Sequence, residues 1–306
     1  MTGTEIISLL NNNISTVCSA VSSVAGAVIT AIFLRSKTST VEFEKIKAGK
    51  LQEVADDLLD SGKMTYTEFY RAKNFLKVAQ IADEEYRKTP HTEEKGNYDF
   101  DWFIRFYDAV GNISNEQMQQ IWARILSGEI QHPHSYSLRC IDILKNLNQE
   151  EANLFGKVCM HCIHYEGRHF LPSYDEYMEH CDIAFSDIMT LDELGLISSN
   201  ALIVLNVPIT TQGNLLFSND SLMIMAATQK DVTDTLRIKQ YPLTSVGAEF
   251  AKVINSQTSD EDFVEFAKAL EKSKPETANI SLHKVLNREG NQFRYNPENL
   301  LELNKG

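Results

Sequence analysis

Cysteine and histidine crowd one short stretch, with Cys159, His161, Cys162, His164 and His169 followed closely by His180-Cys181. The chemistry such a pattern suggests is zinc binding, which needs four nitrogen, sulfur or oxygen donors converging as a tetrahedron. Cys159 and Cys162 sit three apart on a helix predicted to run to about His164, so they share a face, and His180 with Cys181 would close the site. Two features weigh against it. A zinc-binding CxxC pair usually sits on a turn with Gly or Pro nearby, and this one falls mid-helix. Val158, Cys159 and Cys162 also continue an apolar stripe from Phe155, and a free cysteine commonly serves as a small core residue. The pattern therefore reads as core cysteines. No metal and no cofactor is expected, and Cys159, Cys162, His180 and Cys181 are the candidate ligands should one bind.

Other residues with chemical potential have structural readings. Trp102 and Trp122 could line a ligand pocket, but both fall at helical spacing among apolar residues and read as core. Glu129 and Arg139 flank Pro133 and read as a buried charge pair fixing the angle between two helices. Asp56-Asp57 and Asp260-Glu261-Asp262 read as solvated faces or helix starts. The GxSxG elbow, the phosphate-binding GxxxxGK[ST] loop, the HExxH zinc pair and the dinucleotide GxGxxG fingerprint are all absent. No catalytic residue emerges, and the chain reads as non-enzymatic.

The elements that would carry these residues begin with an uncharged run. Ile14 to Leu34, ISTVCSAVSSVAGAVITAIFL, lacks Asp, Glu, Lys and Arg over 21 residues. A helix of that length spans roughly 30 Å, the hydrocarbon thickness of a bilayer. Basic residues follow it at Arg35, Lys37, Lys45, Lys47 and Lys50, so the positive-inside rule places the bulk of the chain in the cytoplasm. Small residues recur every fourth position, Ser22, Gly26 and Thr30 on one register, a pattern that favours helix association in lipid. The expectation is a single-pass anchor in the inner membrane of a bacterium and a homo-oligomer. The formal net charge of −13 argues against a general nucleic-acid binder, and five cysteines at irregular positions do not make a disulfide framework.

The remainder reads as five segments: an anchor over 1–40, a helical hairpin and linker over 41–97, a central helical bundle over 98–165, a winged-helix-like domain over 166–255, and a C-terminal helix and tail over 256–306. The hairpin pairs a helix over 42–60 with one opened by a capping box at Thr65-x-x-Glu68 and running to about Tyr86. DFDWFIRFYDAV is a short, strongly apolar helix closed by Gly111. Ser114-x-x-Gln117 opens the next helix, which Gly128 stops. In the fourth segment two helices precede three strand-like stretches with turns at Gly213 and Asn219-Asp220, and Thr244 caps a last helix. The second of those helices, Ala184 to Ile197, would be a recognition helix, but it offers Asp187, Asp192 and Glu193 and no Lys or Arg. DNA is therefore not expected as a partner, and an unidentified protein is.

Trp122 to Ile130, WARILSGEI, together with DFDWFIRFYDAVGNISNEQMQ before it and SYSLRCIDILKNLNQEEANLF after it, resembles a bacterial family catalogued as domain of unknown function 2806. The shared pattern is a tryptophan helix ending in Gly-Glu (Trp122, Gly128, Glu129), a Ser-rich turn with Arg (Ser135, Ser137, Arg139) and an EA-x-x-F helix (Glu151, Ala152, Phe155). LDELGLIS and PLTSVGAEF continue it, to a coverage of about residues 98–254. One departure is His134, in a turn where the family pattern has glycine. The chain also resembles, more loosely, abortive-infection alpha-type proteins of phage defence. Neither resemblance implies catalytic residues. The fold expected is mainly α: a membrane helix, a helical hairpin, a helical bundle and a winged-helix-like α+β domain. The expected function is a membrane-anchored, non-enzymatic interaction or effector protein in phage defence. The alternatives are a soluble winged-helix regulator acting on DNA and an unrecognised hydrolase.

Overall fold

A computed structural model of the chain describes residues 60, 65–88, 99–200, 202–229, 232–254, 258–289 and 292–303. Ile14–Leu34 with Ser22 and Gly26, the predicted 42–60 helix apart from its last residue, and the 89–97 linker lie outside the described residues. The chain divides into two compact units, Met1–Gln149 and Glu150–Gly306.

In the first unit α1 (Tyr66–Lys88), α2 (Phe100–Val110), α3 (Glu116–Gln131) and α4 (Leu138–Leu144) follow one another. The α1 start is a reciprocal capping box: the Glu68 amide donates to Thr65 Oγ1 at 3.2 Å and the Thr65 amide to Glu68 Oε2 at 2.8 Å. Asp99 caps α2, accepting from the amides of Asp101 and Trp102. The cap of α3 falls one residue later than the sequence pattern placed it. Asn115 Oδ1, not a Ser114 hydroxyl, accepts from the Met118 amide at 3.0 Å, because a short amide side chain satisfies the same orphan N–H. Nor does Gly128 stop α3, which continues a further turn to Gln131. The glycine serves packing instead: a Cβ there would sit 2.9 Å from the Tyr136 hydroxyl and 3.0 Å from its ring. The core is aromatic. Phe75 of α1 meets Phe103 edge-on at 6.0 Å and Tyr107 at 5.1 Å, and Phe106 stacks on Trp102 and meets Trp122 at 5.5 Å.

The second unit overturns the mainly α expectation. It opens with α5 (Gln149–Met160), shorter than predicted because the chain leaves the helix at His161. A hairpin of β1 (Ile163–Tyr165) and β2 (Arg168–Pro172) follows, its turn at Glu166-Gly167 with φ of 48° and 78°. Next come α6 (Asp175–His180), α7 (Phe185–Glu193), β3 (Val204–Ile209), β4 (Asn214–Ser218), β5 (Leu222–Thr228), β6 (Asp234–Pro242) and α8 (Ser245–Ile254). The chain ends with α9 (Asp260–Ser273), β7 (Ala278–Glu289), β8 (Gln292–Tyr295) and α10 (Leu300–Leu303). Two antiparallel four-stranded sheets result, in the orders β1-β2-β6-β3 and β4-β5-β7-β8. The architecture is therefore α+β, and no helix of the described residues is long and apolar enough to cross a membrane.

Helices α6 and α7 lie in sequence between β2 and β3, and β6 pairs on both of those strands. The β4–β5 hairpin is inserted between β3 and β6 and builds the second sheet with β7 and β8. Phe170 of β2, Phe217 of β4 and Phe266 of α9 converge, with Phe217 and Phe266 centroids 5.0 Å apart, so one core is shared by both sheets. Within the C-terminal tail only ISLHKVLN, residues 280–287, reads as a strand in sequence, yet β7 holds the middle of the second sheet, with Ile280 and Leu282 buried.

Two substitutions test these cores. Trp122 is fully buried, so Trp122→Ala should lower unfolding free energy by about 3–5 kcal/mol in denaturant titration; unchanged stability would place the ring outside the core. Gly247, in the first turn of α8, lies against the α7 exit, where a Cβ would come 1.9 Å from the Leu196 carbonyl oxygen. Gly247→Ala should therefore cost about 3 kcal/mol or more by overpacking, and a variant as stable as the parent would refute that contact.

Candidate functional site

A buried carboxylate at the start of α9 draws three elements of the second unit together. Asp262 Oδ2 lies 3.0 Å from His161 Nδ1 and Asp262 Oδ1 lies 2.9 Å from His180 Nε2. His161 is the first residue beyond α5 and His180 is the last of α6. Asp262 is 3% exposed, and its amide is capped by Ser259 Oγ at 3.0 Å. Burial raises the Asp262 carboxyl, but hydrogen bonds and charge from His161, with Ser259 and His180, outweigh it and hold the group below the ordinary carboxylate range. Cys181 completes the arrangement: a His161 nitrogen, the Cys181 sulfur and an Asp262 oxygen all lie within 4.8 Å of one another. Tyr177 braces it, donating its hydroxyl proton to the His161 carbonyl at 2.7 Å.

The four candidates named from sequence do not form one site. Cys159 lies in the last turn of α5 and Cys162 beyond its end, so they do not share a helical face as predicted. Burial pushes the Cys159 thiol up to about 12, and burial beside Cys159 and Cys181 drives Cys162 well above the ordinary range. Cys181 is also pushed up to about 12, by burial first and then by the charge of Asp262. His180 and Cys181 do join the cluster. Asp262 was missed because an acid-rich Asp260-Glu261-Asp262 run resembles any solvated helix start. The third position alone turns inward, as do Phe263 and Phe266 after it. That inward periodicity was the available signal.

The family model described as "Protein of unknown function (DUF2806)" matches residues 64–268. The chain belongs to this family. No curated protein and no solved structure matches it. The DUF2806 match is wider than the 98–254 resemblance and takes in α1 and Asp262.

Within the DUF2806 stretch, the turn joining α3 to α4 is organised by Glu129. Its two carboxylate oxygens accept from the His134 amide at 2.6 Å and the Tyr136 amide at 3.1 Å. The predicted Glu129–Arg139 ion pair is not what holds the turn, since backbone N–H groups occupy both oxygens and Arg139 is exposed on α4. Burial raises the Glu129 carboxyl despite these bonds. Trp102 and Trp122 are 3% and 0% exposed and belong to the core of the first unit, not to a pocket wall.

A cleft of about 370 Å³ in the second unit is lined by Tyr165, Arg168, His169, Leu205, Gln240 and Thr244, among others. Burial, and then His164, lower the His169 pKa, and its Nδ1 is buried without a hydrogen-bond partner among the described residues.

His134 adopts φ of 67°, the left-handed region that glycine enters freely. The glycine expected at this turn would take that conformation without strain. His134→Gly should therefore leave stability unchanged or raise it by up to about 1 kcal/mol, whereas a β-branched His134→Val should lower it by about 1–2 kcal/mol. Thermal denaturation of the two variants checks the sign, and a destabilising glycine would show that the imidazole itself supports the turn.

Proposed function

We propose that the chain is a non-enzymatic interaction protein whose second unit binds a protein partner through α7, the helix that a winged-helix module would direct into DNA. The observation that carries this is the character of the α7 surface. Phe185 is 57% exposed and Met189 38% exposed, with Ala184, Ser186, Thr190 and Glu193 also exposed. Large exposed apolar side chains on a helix devoid of Lys and Arg suit a protein interface, where aromatics and Met are enriched. Two of the three acids on this helix are engaged locally. Asp187 accepts from the Ala184 amide at 2.9 Å and Asp192 from Ser199 Oγ at 2.7 Å. Neither offers a cation to a phosphate, and duplex binding draws its affinity from cations on phosphates.

The observation favouring DNA is on the wing, where Arg237 and Lys239 are exposed on β6. The two readings separate experimentally. Fluorescence anisotropy at physiological salt should show duplex binding no tighter than the non-specific range of about 10⁻⁴ to 10⁻⁶ M. A photo-reactive residue at Met189 should capture a discrete protein in the native host, and Phe185→Asp should abolish the capture. The same probe at Thr235 on β6 should capture nothing. A salt-sensitive, submicromolar DNA complex lost in Arg237→Glu/Lys239→Glu would overturn the proposal in favour of a DNA-binding regulator.

A further inference from the structure

We propose that the second unit carries a zinc-class metal site in which His161 Nδ1, Cys181 Sγ and one Asp262 carboxylate oxygen are ligands and His180 Nε2 supplies the fourth. This is a different donor set from the CxxC-based one suggested by spacing alone, and it stands apart from the α7 surface.

Three lines of observation carry it. The first is convergence. The donors come from the end of α5, the end of α6 and the first turn of α9, and three of the atoms already lie within 4.8 Å of one another. His180 Nε2 is in contact with the second carboxylate oxygen at 2.9 Å. Donors around a tetrahedral zinc, bound at roughly 2.0–2.3 Å, fall at comparable separations. Each imidazole hydrogen-bonds to its own oxygen of the carboxylate, His161 to Oδ2 and His180 to Oδ1. The second is charge. Asp262 is buried, and among the described residues its ion-pair partners are two histidines, with no Lys or Arg. A divalent ion with one carboxylate, one thiolate and two neutral imidazoles is electrically neutral, which suits the burial of Cys181 and Asp262. His161 and His180 also stand at the carboxyl-terminal ends of α5 and α6, where the peptide dipoles favour a cation.

The third is donor chemistry. Two nitrogens, one sulfur and one oxygen match zinc or a similar borderline ion, whereas magnesium and calcium require an oxygen shell that this cluster lacks. On binding, the Cys181 thiol proton passes to solvent and a sulfur–metal bond forms, so the ion overrides the burial that keeps the free thiol protonated. The surroundings hold the ligands in place. Tyr177 fixes the His161 carbonyl, Thr258 Oγ1 donates to the Cys162 carbonyl at 2.6 Å, and Ser259 caps the Asp262 amide. A bound ion would join α5, α6 and α9, the frame beside which α7 stands.

The test uses the full chain stripped with chelator and titrated with zinc, then separately with cobalt. Zinc should bind at about one ion per chain and raise the melting temperature on the order of 10 °C at saturation. Cobalt should give the visible bands of a tetrahedral site with a thiolate charge-transfer band. Cys181→Ser should remove that band, and Asp262→Asn and His161→Ala should each weaken zinc binding at least about 100-fold, more than an outer-shell partner costs. Cys159→Ala should bind normally. Circular dichroism of each chelated variant establishes that it is folded, and His180→Gln serves as a fourth variant should one of the others fail. No bound metal and an unmoved melting temperature would overturn the proposal. So would undiminished binding in Cys181→Ser and Asp262→Asn, or loss of metal in Cys159→Ala.

Discussion

The second unit depends on the burial of one negative charge. Removing a carboxylate from water is costly unless partners replace the lost hydration, and Asp262 has its partners on two other helices. Keeping both histidine contacts fixes where α9 begins relative to the ends of α5 and α6. From that anchored start, α9 carries Phe263, Phe266 and Leu270 inward, and Phe266 meets Phe170 and Phe217 from the two sheets. The polar contact sets position and the aromatic contacts supply most of the favourable burial. Neither alone would define how the helix lies across the strands.

The first unit is held differently. Its buried polar fixings are directed at backbone groups: Asn74 donates to the Gly111 carbonyl 37 residues away, Gln119 to the Ile113 carbonyl, and Glu129 gathers the amides of the turn after α3. These bonds satisfy groups that chain reversals leave orphaned. Between them lie two groups of aromatic rings, Phe75 with Phe103 and Tyr107, and Phe106 with Trp102 and Trp122.

How much was legible in the sequence follows from the range of each interaction. The Thr65-x-x-Glu68 capping box, the apolar stripes of α2 and α3, the turns at Gly213 and Asn219-Asp220 and the Thr244 cap were readable because their causes lie within a few residues. The Gly247 amide donates to Thr244 Oγ1 at 3.0 Å, as that cap requires. Gly128 was misread because its reason is a tyrosine ring across a turn, and nothing local separates that from a helix stop. The start of β1 was absorbed into a helix because Cys159 and Cys162 continue the apolar spacing past the point where the helix ends. The family resemblance was visible in WARILSGEI and its flanks, whereas the histidine at 134 left the turn geometry open, and the chain takes the left-handed conformation there. Asp262 was the largest omission among the site residues, because its partners lie far away in sequence.

The placement of β7 has a consequence for how the protein comes into being. Strand β5 pairs along its whole length with β7, Leu222 opposite Lys284 and Thr228 opposite Ala278, and between the two lie β6, α8 and α9. During synthesis the β4–β5 hairpin leaves the ribosome with one edge open, and its mate is not yet made. An exposed strand edge recruits other strands, and such long-range pairing forms slowly. The nascent second unit thus passes through an interval in which Leu222, Ile224 and Ala226, buried in the finished protein, lack their cover. That interval closes only when β7 emerges.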